Sequence, residues 1–248
     1  RIQRYIAARL GPVPGWTMGY GFDLNEWTTE DDLESWALYL HQHFGWQHML
    51  WGRARYNDEL DAKSYPYTNN NGQPFSYDDA VSNLDSDLNR PHLYEERFWY
   101  MRDEVWTMEN TRRAIWHYTL AGGMGSWWGF YKYVPTSGRP HPPYPNPEQL
   151  VTANQFWVGR FLLDMERANN LTDGYCLKST TNKNYVFYKE DADSVRMNLS
   201  SMGTALPAIA VDAKRDYKEI NIGTLGTTSQ TWNASYVSDW AIAVGDFD

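Results

Sequence analysis

Apolar side chains recur at a helical spacing of three and four residues in five separate segments of the chain. The first segment is 1–10, with Ile2, Tyr5, Ile6 and Leu10 on one face. The others lie within residues 29–44, 77–88, 110–121 and 150–161. Short, mostly apolar runs that are typical of buried strands lie between these helices, at residues 16–24, 47–52, 60–65, 91–96 and 123–129. This alternation of strands and helices predicts a parallel sheet built from successive βαβ units.

The pattern changes at about residue 173. Six short apolar runs follow with no helix between them, at residues 175–177, 185–188, 195–199, 209–211, 219–222 and 240–244. Short strands separated by turns are typical of a small antiparallel β-sandwich. The sequence therefore predicts an α/β part at residues 1–172 and an all-β domain at residues 173–248.

Charge and composition narrow the classes of function. The 248 residues include 22 basic and 31 acidic side chains, a net charge of −9, which argues against a nucleic-acid-binding surface. No apolar run is long enough to predict a membrane span, and a single cysteine excludes a disulfide within the chain. The 13 Trp, 18 Tyr and 9 Phe are an unusually large aromatic share. Trp and Tyr suit the binding of sugars, although a Trp-rich core gives the same composition.

Two carboxylates are predicted at the carboxyl ends of separate strands in the α/β part. Glu26 follows the first strand run, and Glu96 closes the run at 91–96. In an α/β barrel the strand-to-helix loops meet at this rim and build the active site. Glycoside hydrolysis needs two carboxyl groups, one protonated and one ionised. The pair is compatible with that chemistry, although surface carboxylates also occupy such positions.

Four stretches of sequence resemble a known family of enzymes. The stretch 22–27, Phe-Asp-Leu-Asn-Glu-Trp, resembles the signature on the fourth strand of the large clan of retaining (β/α)8 glycosidases. Pro91, with Glu96 five residues later, resembles the seventh-strand pattern of that clan. Residues 121–129 resemble the eighth strand of the apiosidase-like glycosidases, and residues 175–247 resemble the C-terminal β domain of those enzymes, which carries an old label as a collagen-binding domain.

The resemblance implies a role for each matching residue. Glu26 becomes the acid/base, Glu96 the nucleophile, and Asn25 the donor to the sugar 2-hydroxyl. Trp27 could supply a nonpolar wall that raises the pKa of the acid. Glu95 competes with Glu96, because adjacent residues of a strand point to opposite faces of the sheet; the family spacing favours Glu96.

Further residues near the same rim are expected to bind substrate. Arg53 and Tyr94 lie at strand ends, and Arg53 either binds an acidic group of the substrate or pairs with a neighbouring acid. Trp127 and Trp128 alternate in direction, so one of them forms a sugar platform or both are core. His41 and His43 lie two apart on a helix and do not face each other, so we assign no metal. We expect no cofactor.

The α/β part is shorter than a complete barrel. An eight-stranded barrel takes about 250 residues. If the opening helix follows the third strand of the family, then this chain carries strands four to eight and lacks the first three. We therefore expect a fragment, with the missing strands supplied by another chain or by another part of the same polypeptide, since open strand edges are poorly tolerated.

The sequence as a whole favours a secreted, cell-surface or periplasmic glycosidase that degrades a plant, algal or microbial polysaccharide. Its partner is then a carbohydrate substrate. The alternative is a non-catalytic carbohydrate-binding or extracellular assembly protein that keeps the same barrel.

Overall fold

The structure is a computed structural model, and it describes residues 1–21, 23–53, 59–65, 76–94, 107–125 and 146–247. These residues divide into two compact units. The first unit contains the described residues up to 94 together with 123–125, and the second contains residues 107–122 and 146–247.

The first unit is a parallel sheet with helices between its strands. Its five strands pair in chain order, and every pair is parallel. This confirms the parallel sheet that the sequence predicts. The strands are β1 (Met18–Gly19), β2 (Leu50–Arg53), β3 (Ala62–Tyr65), β4 (His92–Tyr94) and β5 (Met124–Gly125), and the helices of this unit are α1 (Ile2–Arg9), α2 (Glu30–His43) and α3 (Tyr77–Asp85).

Local capping and an apolar stripe explain where the helices of this unit form. Thr29 precedes α2, and its hydroxyl accepts a hydrogen bond from the Asp32 N–H at 3.1 Å. Ser76 and Asp79 form a complete capping box at the start of α3. The stripe of α2 packs against the sheet to form the core of the unit, which contains Leu24, Leu33, Ala37, Leu40 and Leu50.

The second unit is an antiparallel sheet with two helices. The spatial order of its six strands is β10-β9-β11-β8-β7-β6. The helices are α4 (Met108–Leu120) and α5 (Glu148–Trp157), and the strands are β6 (Met165–Arg167), β7 (Tyr175–Ser179), β8 (Asn184–Asn198), β9 (Leu206–Asp212), β10 (Ile220–Leu225) and β11 (Ser229–Gly245).

The long pair β8–β11 differs from the sequence pattern. The sequence predicts two separate strands at residues 185–188 and 195–199. In the structure both segments belong to the single strand β8, and only Leu199 lies beyond its end. Asp191 has a φ of 46°, and the pairing register shifts opposite it between Ser238 and Trp240. A second shift follows next to it, between Asn233 and Ser238. Such irregularities bend a strand pair without ending it. The two parts of β11 on either side of the bend share one core, where the rings of Trp232 and Trp240 lie 4.9 Å apart.

The other face of this sheet is covered by helices. The start of β8 and the end of β11 are buried on both faces. Trp116 of α4 stacks on Tyr188 of β8 with ring centroids 4.8 Å apart, and Phe156 of α5 packs against Trp116. The second compact unit therefore includes two helices that the sequence pattern groups with the barrel.

Candidate active site

The two faces of the parallel sheet have different partners. Leu50 packs in the core with the apolar stripe of α2, and the Tyr94 hydroxyl donates to the Ala80 carbonyl of α3 at 2.9 Å. Trp51 follows Leu50 on β2 and therefore lies on the opposite face. Its ring fills the space beside Gly19 where a Cβ would stand. Alternation along β2 then puts Arg53 on the same face as Trp51. This second face faces away from α2 and α3.

A tight turn at the carboxyl end of β1 carries Asn25 and Glu26. Asp23 adopts a left-handed conformation, with φ of 53° and ψ of 40°, and residues Leu24–Glu26 form one 3₁₀ turn. The Glu26 N–H donates to the Asp23 carbonyl at 2.9 Å. Leu24 is buried in the core, which anchors the turn, while Asn25 and Glu26 are exposed. Within the described part of the chain, the Glu26 carboxylate has no hydrogen-bond or ion-pair partner and is open to a ligand.

Arg53 holds this turn from the neighbouring strand. It lies at the end of β2 with only 4 % of its side chain exposed, and its Nη2 donates to Asp23 Oδ1 at 3.0 Å. The sequence left open whether Arg53 binds an acidic group of the substrate or pairs with a neighbouring acid. In the structure it pairs with a neighbouring acid, and its side chain is buried. Asp23 was not a candidate from the sequence, and its place two residues before the Asn25-Glu26 pair is the only signal that could have marked it.

Trp27 is an exposed aromatic surface beside the turn. Its side chain is 56 % exposed, and its ring stacks on Trp36 of α2 with centroids 6.2 Å apart. The ring also passes over Gly21, whose φ of 118° suits glycine. Tyr20 also packs against Trp36. Burial, followed by the charge of Asp61, raises the pKa of the Tyr20 hydroxyl, which therefore stays protonated.

Tyr94 occupies a different environment from Glu26 and Trp27. It is fully buried, its ring stacks with Tyr65, and its hydroxyl is bonded to α3. In this position Tyr94 supports the packing of α3 against the sheet, so we leave it out of the candidate site. Glu95, Glu96, Trp127 and Trp128 lie outside the described residues. The structure thus brings together Asn25, Glu26, Trp27 and, through Asp23, Arg53.

The described ranges hold no group of three or more His, Cys, Asp or Glu side chains with the geometry of a metal site. Every helix within those ranges is too short or too polar to traverse a lipid bilayer.

Comparison with solved structures gives the fold. A glycoside hydrolase superposes over 99 % of this chain and 69 % of its own, with a TM-score of 0.77 at 13 % identity. A family 5 glycoside hydrolase from Bacteroides vulgatus superposes over 98 % of this chain and 65 % of its own, with a TM-score of 0.75 at 12 % identity. A family 30 endoxylanase from Clostridium papyrosolvens gives a TM-score of 0.58 at 11 % identity, over 99 % of this chain and 70 % of its own.

These similarities are structural only. No protein-family model and no curated protein matches the sequence. The chain has the fold of glycoside hydrolases over nearly its whole length, and it spans about two thirds of the length of the first two structures.

Proposed function

We propose that this chain is part of a glycoside hydrolase that cleaves a polysaccharide with retention of anomeric configuration. The observation that carries the proposal is the exposed Glu26 carboxylate at the carboxyl end of β1, on a turn held by the Arg53–Asp23 ion pair. This end of a parallel α/β sheet is where barrel enzymes place their catalytic groups. The glycoside hydrolase fold of the chain supports the same assignment.

The proposed reaction has two steps. In the first, protonated Glu26 gives its proton to the leaving glycosidic oxygen while the Glu96 carboxylate attacks the anomeric carbon, and the C–O bond to the leaving group breaks. In the second, Glu26 takes a proton from water, the water oxygen attacks the anomeric carbon, and the ester bond to Glu96 breaks. Asn25 is the proposed donor to the 2-hydroxyl, and Trp27 the proposed nonpolar wall of the site.

The choice between Glu95 and Glu96 needs a direct test. The family resemblance favours Glu96. Tyr94 points toward α3, so a strictly alternating strand would instead turn residue 95 toward the face that carries Arg53. Separate variants at the two positions therefore distinguish the resemblance from simple alternation.

We further propose that additional strands complete the barrel. β1 and β5 are the outer strands of the five-stranded parallel sheet as far as the structure describes it, and eight strands close such a barrel. The missing strands come from another part of the same polypeptide or from another chain. Because polysaccharides are too large to enter a cell, we place the enzyme outside the cell, at its surface or in the periplasm.

The experiment measures hydrolysis of a glycan panel by a protein that carries the complete barrel. Glu26→Gln, Glu95→Gln and Glu96→Gln are compared with Glu34→Gln, an exposed glutamate on α2 that has no proposed role. Loss of the acid/base should lower kcat by about 10²–10⁴, and loss of the nucleophile should lower it at least as much. Glu34→Gln should keep the wild-type rate.

A substrate with a good leaving group distinguishes the acid/base from the nucleophile. Glu26→Gln should lose little of its first-step rate on an aryl glycoside whose phenol needs no proton, because the acid is then dispensable. The variant that lacks the nucleophile should be slow on every substrate. Near wild-type hydrolysis of the polysaccharide by Glu26→Gln would overturn the proposal, and so would a wild-type enzyme that binds glycans but hydrolyses none.

A further inference from the structure

A cavity lies at the opposite end of the parallel sheet from Glu26. It has a volume of about 640 Å³, within the range of about 300–1,000 Å³ that is usual for small-molecule sites. Residues 44–49, which connect the end of α2 to the start of β2, form most of its wall. We call it the base cleft and define it by His41, Phe44, Trp46, Gln47, His48 and Asp61.

Trp46 is a fixed and exposed aromatic surface in the base cleft. Its indole N–H donates to the Pro12 carbonyl at 3.0 Å, yet 57 % of the residue is exposed. The loop beneath it is held by buried His48, whose two ring nitrogens lie 3.0 Å from the Gly11 carbonyl and 3.2 Å from the Trp16 carbonyl. An aromatic ring held in place before binding loses little conformational entropy when a ligand stacks on it.

Polar groups with unused hydrogen-bonding capacity line the same cleft. Asp61 accepts from the Leu50 N–H at 2.7 Å and lies 3.0 Å from His41 Nε2, and both contacts use Oδ2. Its other oxygen, Oδ1, has no partner among the described residues, and the side chain is 43 % exposed. Gln47 adds an exposed carboxamide, which can both donate and accept.

These features together fit a neutral sugar. One face of a sugar ring is largely apolar C–H and stacks on indole, while its hydroxyls need both donors and acceptors at the edge. Among the described residues that line the cleft there is neither Lys nor Arg, and the carboxylate of Asp61 would repel an acidic sugar. We propose that the base cleft is a second glycan-binding site, which holds a neutral part of a polysaccharide away from the catalytic end. The choice of a sugar as ligand rests on the proposed function.

The binding test uses the full-length protein with Glu26→Gln, so that the ligand is not consumed. Calorimetric titration with neutral hexose and pentose oligosaccharides and with uronate oligosaccharides measures affinity and stoichiometry. The Glu26→Gln protein should show one more binding site for a neutral oligosaccharide than the double variant Glu26→Gln/Trp46→Ala. In the double variant, affinity at the base cleft should fall at least about tenfold. Trp46→Phe, which keeps a stacking face, should retain part of the binding. Leu88→Ala removes an apolar residue elsewhere that is even more exposed than Trp46, and it should change nothing.

An activity comparison separates this inference from the proposed function. With Glu26 intact, Trp46→Ala should hydrolyse a short soluble substrate as fast as wild type but hydrolyse the polymer several-fold more slowly. Unchanged stoichiometry and affinity in Trp46→Ala, or binding of uronates alone, would overturn the base cleft as a glycan site. If the protein proves inactive but still loses a sugar site with Trp46→Ala, the proposed hydrolysis fails while this inference stands.

Discussion

Arg112 and Asp239 form a buried ion pair that joins α4 to β11. Nη2 and Nε of Arg112 lie 2.7 Å and 3.0 Å from Oδ2 of Asp239, and the two side chains are 3 % and 1 % exposed. Gln149 Oε1 accepts a hydrogen bond from Nη1 of Arg112. Asp239 Oδ1 accepts hydrogen bonds from the Asp191 N–H and from the Lys214 ammonium group. Each charge therefore keeps several partners, which offset its loss of hydration.

Removing Arg112 should destabilise the second unit strongly. Arg112→Ala leaves the Asp239 carboxylate buried with fewer partners, and we expect the free energy of unfolding to fall by about 3–5 kcal/mol. Chemical denaturation followed by circular dichroism measures this. The control is Glu109→Ala, because Glu109 is exposed and lies 4.0 Å from the same guanidinium; its loss should cost under about 1 kcal/mol. Equal effects of the two variants would contradict the prediction.

Glu190 should make stability depend on pH in the acid range. Burial raises the pKa of Glu190, but hydrogen bonds and charges from His117 and Arg113 outweigh burial and lower that pKa from 4.5 to about 2. Because the folded-state pKa is the lower one, the stabilisation is present above pH 4.5 and is lost as the pH falls toward 2. It amounts to about 3 kcal/mol at most.

The measurement is the free energy of unfolding between pH 2 and pH 6. Glu190→Gln should lower stability above about pH 4.5 and flatten its slope below that value. Glu166→Gln is the matched control, because Glu166 pairs with Lys178 at 2.6 Å but is half exposed, and it should leave the slope unchanged. A slope in Glu190→Gln equal to that of the wild type would exclude Glu190 as its source.

Cys176 should report the opening of the antiparallel sheet. It lies fully buried in β7, and burial raises the pKa of its thiol far above the usual range, so the reactive thiolate forms only when the strand opens. We expect no reaction with a thiol reagent at pH 8 in native buffer and complete reaction beyond the unfolding transition, measured by mass. In a Cys176→Ser background, Ser200→Cys places a thiol at an exposed position and should react at once. Rapid labelling of native Cys176 would contradict the buried placement.

Local sequence signals predict the first unit well. Its strands are apolar runs bounded by turn residues, and strands separated by helices pair in parallel and in chain order. The same signals fail in the second unit at residues 189–194, where a polar stretch predicts a turn. β8 continues through it, because the left-handed Asp191 and the shifted register of β11 accommodate the interruption. Such compensation depends on the partner strand, which no local window contains.

The sequence also does not reveal which residues pair with a buried charge. Glu26 could be proposed from a short motif, but the residue that holds its turn, Arg53, lies 30 positions from Asp23. Arg112 and Asp239 are 127 positions apart, and each looks like an ordinary surface charge in sequence. Burial and pairing of such residues follow from the tertiary fold, so they are visible only after the chain is folded.

The Arg53–Asp23 pair should act on catalysis through the position of Glu26, and this prediction rests on the proposed function. Asp23 begins the turn that carries Glu26, and its carboxylate is the contact with β2. Asp23→Ala removes that contact and a residue that tolerates the left-handed conformation. We expect kcat to fall by about 10²-fold, since displacements near 1 Å can cost that much, with a much smaller change in KM.

The conservative variant and the separate effects on kcat and KM distinguish positioning from general loss of structure. Asp23→Asn keeps an acceptor oxygen and the left-handed preference, so it should recover most of kcat. In Asp23→Ala, KM should stay close to the wild-type value, because the substrate still binds while Glu26 is displaced. Arg90→Ala, which removes a guanidinium 3.8 Å from Asp87, just beyond the end of α3, is the control and should leave kcat and KM unchanged. If Asp23→Ala and Asp23→Asn lose kcat equally, or if Asp23→Ala raises KM as much as it lowers kcat, then Asp23 does not position Glu26.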